Sequence, residues 1–171
     1  MSIEPKIYVA DLAAYNNGIL HGVWIDAGQD LETIQEQVRA MLATSPEGMA
    51  EEFAIHDYEG FGSVSLSEYE GLESVNRKAL FIEEFDELGA AVLNHFGDDL
   101  DEAKQAMEER YNGEYESLAD YARQLIEETG EIPDHLEFYI DYERMGRDME
   151  LSGDIYTIET GYGEVHVFWS C

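Results

Sequence analysis

Between Glu83 and Glu116 stand twelve carboxylates and two basic residues, Lys104 and Arg110. Carboxylates can pair for hydrolysis, ligate hard cations, or stand as fixed negative charge. The spacing favours the third use. Leu100, Ala103, Met107 and Tyr111 recur at three and four residues, which predicts one apolar helical stripe. Asp101, Glu102, Gln105, Glu108 and Glu109 then fall on the opposite face. A helix anchored by that stripe holds its charges in a fixed row.

Catalytic alternatives find little support. The chain has no GxxxxGK[ST], GxGxxG, HExxH or GxSxG signature. His21, His56, His95, His135 and His166 are scattered singly, as packed or surface histidines are. The nearest approach to a calcium loop runs from Asp57 through Glu59, Gly62 and Ser65 to Glu68. Phe61 at its fifth position offers no ligand, and the preceding segment reads as strand where an EF-hand needs a helix. No metal site and no cofactor are expected.

The elements that position these charges follow from local pattern. Segments 6–12 and 19–25 are rich in β-branched and aromatic residues and read as strands, with Asn16-Asn17-Gly18 as the turn of a hairpin. Asp30 caps a helix over 31–42, and 52–56 is a third strand followed by a loop. Ser67 with Glu70 resembles a capping box for a helix over 68–81. A second helix covers 84–96 with Gly97 past its end, and Asp98 or Asp99 caps the helix at 100. Segment 113–116 is a short strand, and Ser117 with Asp120 opens a helix to Thr129. Pro133 and Asp134 start one helix running to Leu151. Segments 154–160 and 164–169 alternate with period two around Gly161-Tyr162-Gly163, a closing hairpin. The expected class is therefore α+β. It is an elongated chain of three small units: an N-terminal antiparallel sheet with helix (1–62), a central helical bundle (63–105), and a C-terminal antiparallel sheet with helices (106–171).

The formal charge of −30 arises from 39 acids and 9 bases. It divides as −9, −8 and −13 over those segments, so no single tail carries it. Such a chain is repelled by nucleic acid and by anionic membranes, and attracted to basic clefts that bind nucleic acid. Apolar residues make up 44% and only three prolines occur, which favours a folded chain over a disordered one. The single cysteine, Cys171, has no internal partner, so a reducing compartment is expected. The N-terminus lacks the pattern of a signal peptide, and no apolar run approaches the ~18 residues of a membrane span. A cytoplasmic location follows.

Long strings of the chain resemble the ArdA antirestriction proteins of conjugative plasmids and transposons. They are IYVADLAAYNNGILHGVWIDA from Ile7, EEFAIHDYEGF from Glu51, LNHFGDDLDEAKQAMEERYNGEYES from Leu93, and LADYARQLIEETGEIPDHLEFYIDYERMGRDMEL from Leu118. The resemblance implies a three-domain mimic of B-form DNA, a homodimer without catalytic activity or cofactor. Such a mimic occupies the DNA groove of a type I restriction-modification enzyme on its specificity and methyltransferase subunits. It blocks cleavage and often modification. The family's antirestriction motif falls in 132–145. The carboxylates expected to stand for phosphates are Asp98, Asp99, Asp101, Glu102, Glu108, Glu109, Glu114, Glu116, Asp120, Glu127, Glu128, Glu131, Asp134, Glu137, Asp141 and Glu143. At one charge per ~1.7 Å of duplex, 30 charges match roughly 50 Å of DNA and a dimer roughly 100 Å. The rival readings are a salt-adapted acidic binding or structural protein, which would fold only in molar salt, and a carboxylate hydrolase, which would need a clustered buried acid pair.

Overall fold

The computed structural model describes residues 3–170; Cys171 lies outside them. The fold is mixed α+β, and the chain divides into two compact units, Met1–Leu100 and Asp101–Cys171.

In the first unit, β1 (Lys6–Asp11) is the middle strand of an antiparallel sheet, between β2 (Gly22–Asp26) and β3 (Phe53–Glu59). Its alternation buries Ile7 and Val9 completely, with Ile25 opposite Ile7 on β2. Helix α2, which runs over Leu31–Ala43, brings Ile34, Val38 and Met41 into this core on one stripe. Burial of each such side chain contributes about 1.5–3 kcal/mol.

The link between β1 and β2 corrects the expected tight turn at 16–18. A short helix, α1 (Leu12–Asn16), forms there because the fully buried Asp11 carboxylate accepts a hydrogen bond from the Ala14 amide at 3.2 Å. The two strands still pair antiparallel, and Gly18 takes the positive φ of 77° that ends the helix. Strand β3 continues past the expected 52–56, so Asp57 and Glu59 of the near-calcium loop lie in a strand.

The helix expected from 68 begins instead at Leu72, as α3 (Leu72–His95). Glu70 does reach back to the Ser67 amide at 3.5 Å, but its shorter contacts are with Ser74 at 3.1 Å and the buried Lys78 at 3.1 Å. Two helices were expected with a break between 81 and 84. The break falls at Asp86, whose φ of 52° interrupts the run. The end of α3 is as expected: Gly97 has φ 63°, its amide donates to the Asn94 carbonyl, and the Asp98 amide donates to the Leu93 carbonyl.

Helix α4 (Leu100–Gln105) passes at once into a π-helical turn, Ala106–Arg110. The expected α-helix to Tyr111 is corrected accordingly. The wider turn shifts the buried stripe, so Leu100, Ala103 and Ala106 are buried while Met107 is half-buried. Tyr111 opens β4 (Tyr111–Tyr115), an edge of the second sheet. Central β6 (Glu164–Trp169) separates β4 from β5 (Ile155–Gly161), all antiparallel.

Val165 and Val167 face a core with Ile155 and Tyr121, the last on α5 (Leu118–Thr129). Ser117 caps α5 by accepting from the Asp120 amide at 3.2 Å. The long helix expected from 134 to 151 is two pieces, α6 (Asp134–Glu137) and α7 (Tyr142–Leu151). No residue of α6 is buried, and the Asp141 carboxylate caps a fresh start by accepting from the Arg144 amide at 3.1 Å. Helices α5 and α7 pack closely: a Cβ built on Gly146 would lie 2.9 Å from the Leu118 carbonyl oxygen.

Candidate partner-binding surface

The sixteen candidate carboxylates fall unevenly on the two units. Asp98 and Asp99 end the first unit, and the other fourteen belong to the second. Asp98 and Asp120 are half-buried, and the remaining fourteen are exposed. Side-chain hydration explains this, since an ionised carboxylate is costly to bury without a partner.

In the second unit the acids sit on the outer sides of elements whose inner sides form core. Asp101 and Glu102 are on α4, and Glu108 and Glu109 on the π-turn, away from buried Ala103 and Ala106. On α5, Asp120, Gln124 and Glu127 share a face opposite buried Ala122, while Glu128 stands two turns along the side of buried Tyr121. With a rise of 1.5 Å per residue, Asp120 and Glu127 are roughly 10 Å apart along the axis. Glu114 lies on β4, and Glu116 follows it. Glu131 precedes α6, which carries Asp134 and Glu137, and Asp141 and Glu143 open α7.

Several of these charges are held rather than floating. Gln105 donates to Glu109 at 3.1 Å, Gln124 donates to Glu128 at 3.0 Å, and Asp141 serves as a cap. Basic residues are few. Arg144 lies 4.0 Å from Asp148 in an exposed pair worth little, and Arg123 stacks over the Tyr142 ring at 5.1 Å.

Behind this surface the second sheet buries a polar chain. The Tyr111 hydroxyl lies 2.8 Å from Nδ1 of His166, whose Nε2 lies 3.0 Å from the Thr160 hydroxyl, which donates to Glu164 at 3.0 Å. The carboxylate at its end sets the direction. Thr160 donates to Glu164 and accepts from Nε2–H, so Nδ1 accepts from Tyr111. Burial lowers the His166 pKa, against the opposing charges of Glu114 and Glu164.

No acid before Asp98 is among the sixteen candidates. The structure exposes many there, among them Glu32, Glu36, Glu51, Glu52, Glu84 and Glu87. Their signal was present in the uniform acidity of the chain. Glu32 with Glu36 and Glu84 with Glu87 even recur at helical spacing, as acids of the second unit do. Glu83 differs from both groups: burial raises its pKa, with the charges of Asp26 and Glu4 adding to the effect.

Among the described residues, no group of three or more histidine, cysteine or acidic side chains could hold a metal ion. No helix among them is long and apolar enough to cross a membrane. A family model described as antirestriction protein (ArdA) matches residues 7–164. No curated protein matches the chain.

Proposed function

The chain belongs to the ArdA family of antirestriction proteins, and on that premise we propose that it acts as an acidic mimic of B-form DNA. It occupies the DNA groove of a type I restriction-modification enzyme, against the specificity and methyltransferase subunits. It blocks both cleavage and modification there without turning over any substrate, in the cytoplasm where such enzymes work. The three-segment layout of 1–62, 63–105 and 106–171 belongs to this proposal, as does the homodimer. Phe138 and Tyr139 are 94% and 84% exposed and offer apolar area for a second copy.

One observation carries the reading: fourteen carboxylates chosen by sequence alone are exposed, most of them on regular elements backed by a core. A DNA cleft is lined with Lys and Arg that neutralise phosphates and gain entropy by releasing counterions. Carboxylates fixed on helices compete for the same residues, and their order is set when the chain folds. Association is steered and fast, and weakens as salt rises.

The test titrates the purified chain onto a type I methyltransferase holding a fluorescent duplex. Displacement at a stoichiometric ratio, with a midpoint that rises with salt, is the expected result. A duplex that stays bound at low salt under excess chain overturns the proposal. Sedimentation showing only monomer at micromolar concentration removes the dimer.

A further inference from the structure

We propose that the open edge of the first sheet is a docking site for an extended protein segment that alternates apolar and basic residues. It pairs with β2 and fills the groove between β2 and α2. The site lies wholly in the first unit and does not depend on DNA mimicry.

The main chain of β2 fixes which groups are on offer. The Asp11 amide donates to the His21 carbonyl, and the Ala27 amide donates to the Pro5 carbonyl. In an antiparallel ladder these pairings direct His21, Val23, Ile25 and Ala27 toward β1, so Gly22 and Trp24 present amide and carbonyl outward. The outward Asp26 carbonyl is taken by the Gln29 side chain, which closes that end of the edge. The opposite edge of the sheet is treated differently: the outward amide of Ile55 on β3 donates to the Glu68 carbonyl at 2.8 Å. Among the described residues one edge is covered and the other is left open, which folded proteins usually avoid.

Beside the open edge lies a groove of about 520 Å3, walled by Gly22 and Val23 on the strand, by Gln37, Ala40 and Met41 on α2, and by Thr44 just past its end. His21 is fixed at one end, with Nε2 2.7 Å from the Met41 carbonyl and 3.3 Å from the Thr44 hydroxyl. A strand added to β2 places alternate side chains on the two faces of the sheet. One set enters the groove against Val23, Ala40 and Met41, which suits aliphatic side chains.

The other set meets Trp24, 43% exposed and 5.5 Å from the Tyr8 ring, and then exposed Asp26 on the same face. An aromatic face followed by a carboxylate suits Lys or Arg. Glu36 borders the helix wall one turn before Ala40, and Arg39 is turned away from the groove by the helical period. The unit has 20 acids and 4 bases, which steers a basic segment toward it. Alternating apolar and basic residues therefore satisfy both faces at once.

The experiment uses the full chain and the peptide acetyl-Arg-Val-Arg-Val-Arg-Val-amide, followed by amide chemical shifts. Saturable shifts confined to β2 and α2 are expected. A peptide N-methylated at alternate positions keeps its charge and loses its main-chain donors, and should bind at least roughly tenfold more weakly. Trp24→Pro removes one outward amide without touching the ladder, and Ala40→Arg puts a cation into the groove wall; each should weaken binding to a similar degree. Equal affinity of the N-methylated peptide, unchanged affinity of the Ala40→Arg chain, or shifts spread over the whole acidic surface would overturn the proposal.

Discussion

In the first unit the sheet around β1 has an open edge at β2, a covered edge at β3, and α2 on one face, with Tyr8 and Trp24 on the other. In the second unit β6 is enclosed. The core with α5 lies against Val165 and Val167, while His166 and Phe168 point to the face approached by the π-turn. Two sheets of the same size and strand direction are thus finished in different ways. The first spends its polar burial on the carboxylate Asp11 and the Lys78–Glu70 pair, and the second on a hydrogen-bonded chain through His166. A three-stranded sheet is too small to dictate its surroundings. The helices decide which face is dry, and each unit pairs its few buried polar groups in its own way.

The division can be broken most severely through charge. Neutralising Asp101, Glu102, Glu108, Glu109, Asp120, Glu127 and Glu128 together as amides should abolish antirestriction. The same number of changes among exposed acids of the first unit should leave most of it. Asp99→Asn or Glu109→Gln alone should change half-maximal inhibition less than about threefold, because no single contact dominates a distributed array. Restriction assays on all four chains decide this, and one neutralisation that eliminates activity contradicts it.

Packing gives the next effect. Phe168 is fully buried, stacked 5.2 Å from Tyr156 and in tilted contact 5.1 Å from Tyr111. Phe168→Ala should cost about 3–5 kcal/mol in denaturant unfolding. Amide exchange should show the loss in the second unit and not in the first, if the two unfold separately.

His166 is the smaller lever. Its folded pKa is depressed by burial, so the unfolded chain takes up the proton first as pH falls. The stability of the second unit is full above the ordinary histidine pKa of about 6.5, and declines as pH drops through the window down to the folded value. His166→Gln should flatten that window relative to the parent chain, read as the difference between their unfolding midpoints. Glu83 acts with the opposite sign and least strength. Its raised pKa means the folded chain holds a proton more readily, so this group adds stability as pH falls, while Asp11 with its lowered pKa acts the other way in the same unit. Glu83→Gln should stabilise slightly at neutral pH, less in high salt, and not at all below the unfolded carboxylate range.

Much of the scaffold was legible from local pattern. Strands β1, β5 and β6 follow alternation, the end of α3 follows Gly97, and the start of α5 follows Ser117. The corrections share one cause, a distant partner or a competing cap. Asp11 looked like the last residues of a strand, yet its buried carboxylate starts α1. Glu70 does accept from the Ser67 amide as a capping box expects, yet it also holds Lys78, and the helix starts only at Leu72. Asp134 and Asp141 are both competent caps, and nothing local says that the second restarts the helix. The exposure of the candidate acids was readable because charge avoids the interior. Which of them meet a partner was not, since that depends on the partner's own cations. The open edge of β2 was invisible to sequence, because an edge is defined by the neighbour a strand lacks.

The contact between Gly146 and the Leu118 carbonyl has a geometric corollary. It brings α5 and α7 as near as two backbones allow, and so fixes the gauge between the acids on α5 and those at the head of α7. A single methyl at that crossing would act as a wedge, widening the track while leaving every charge in the chain intact.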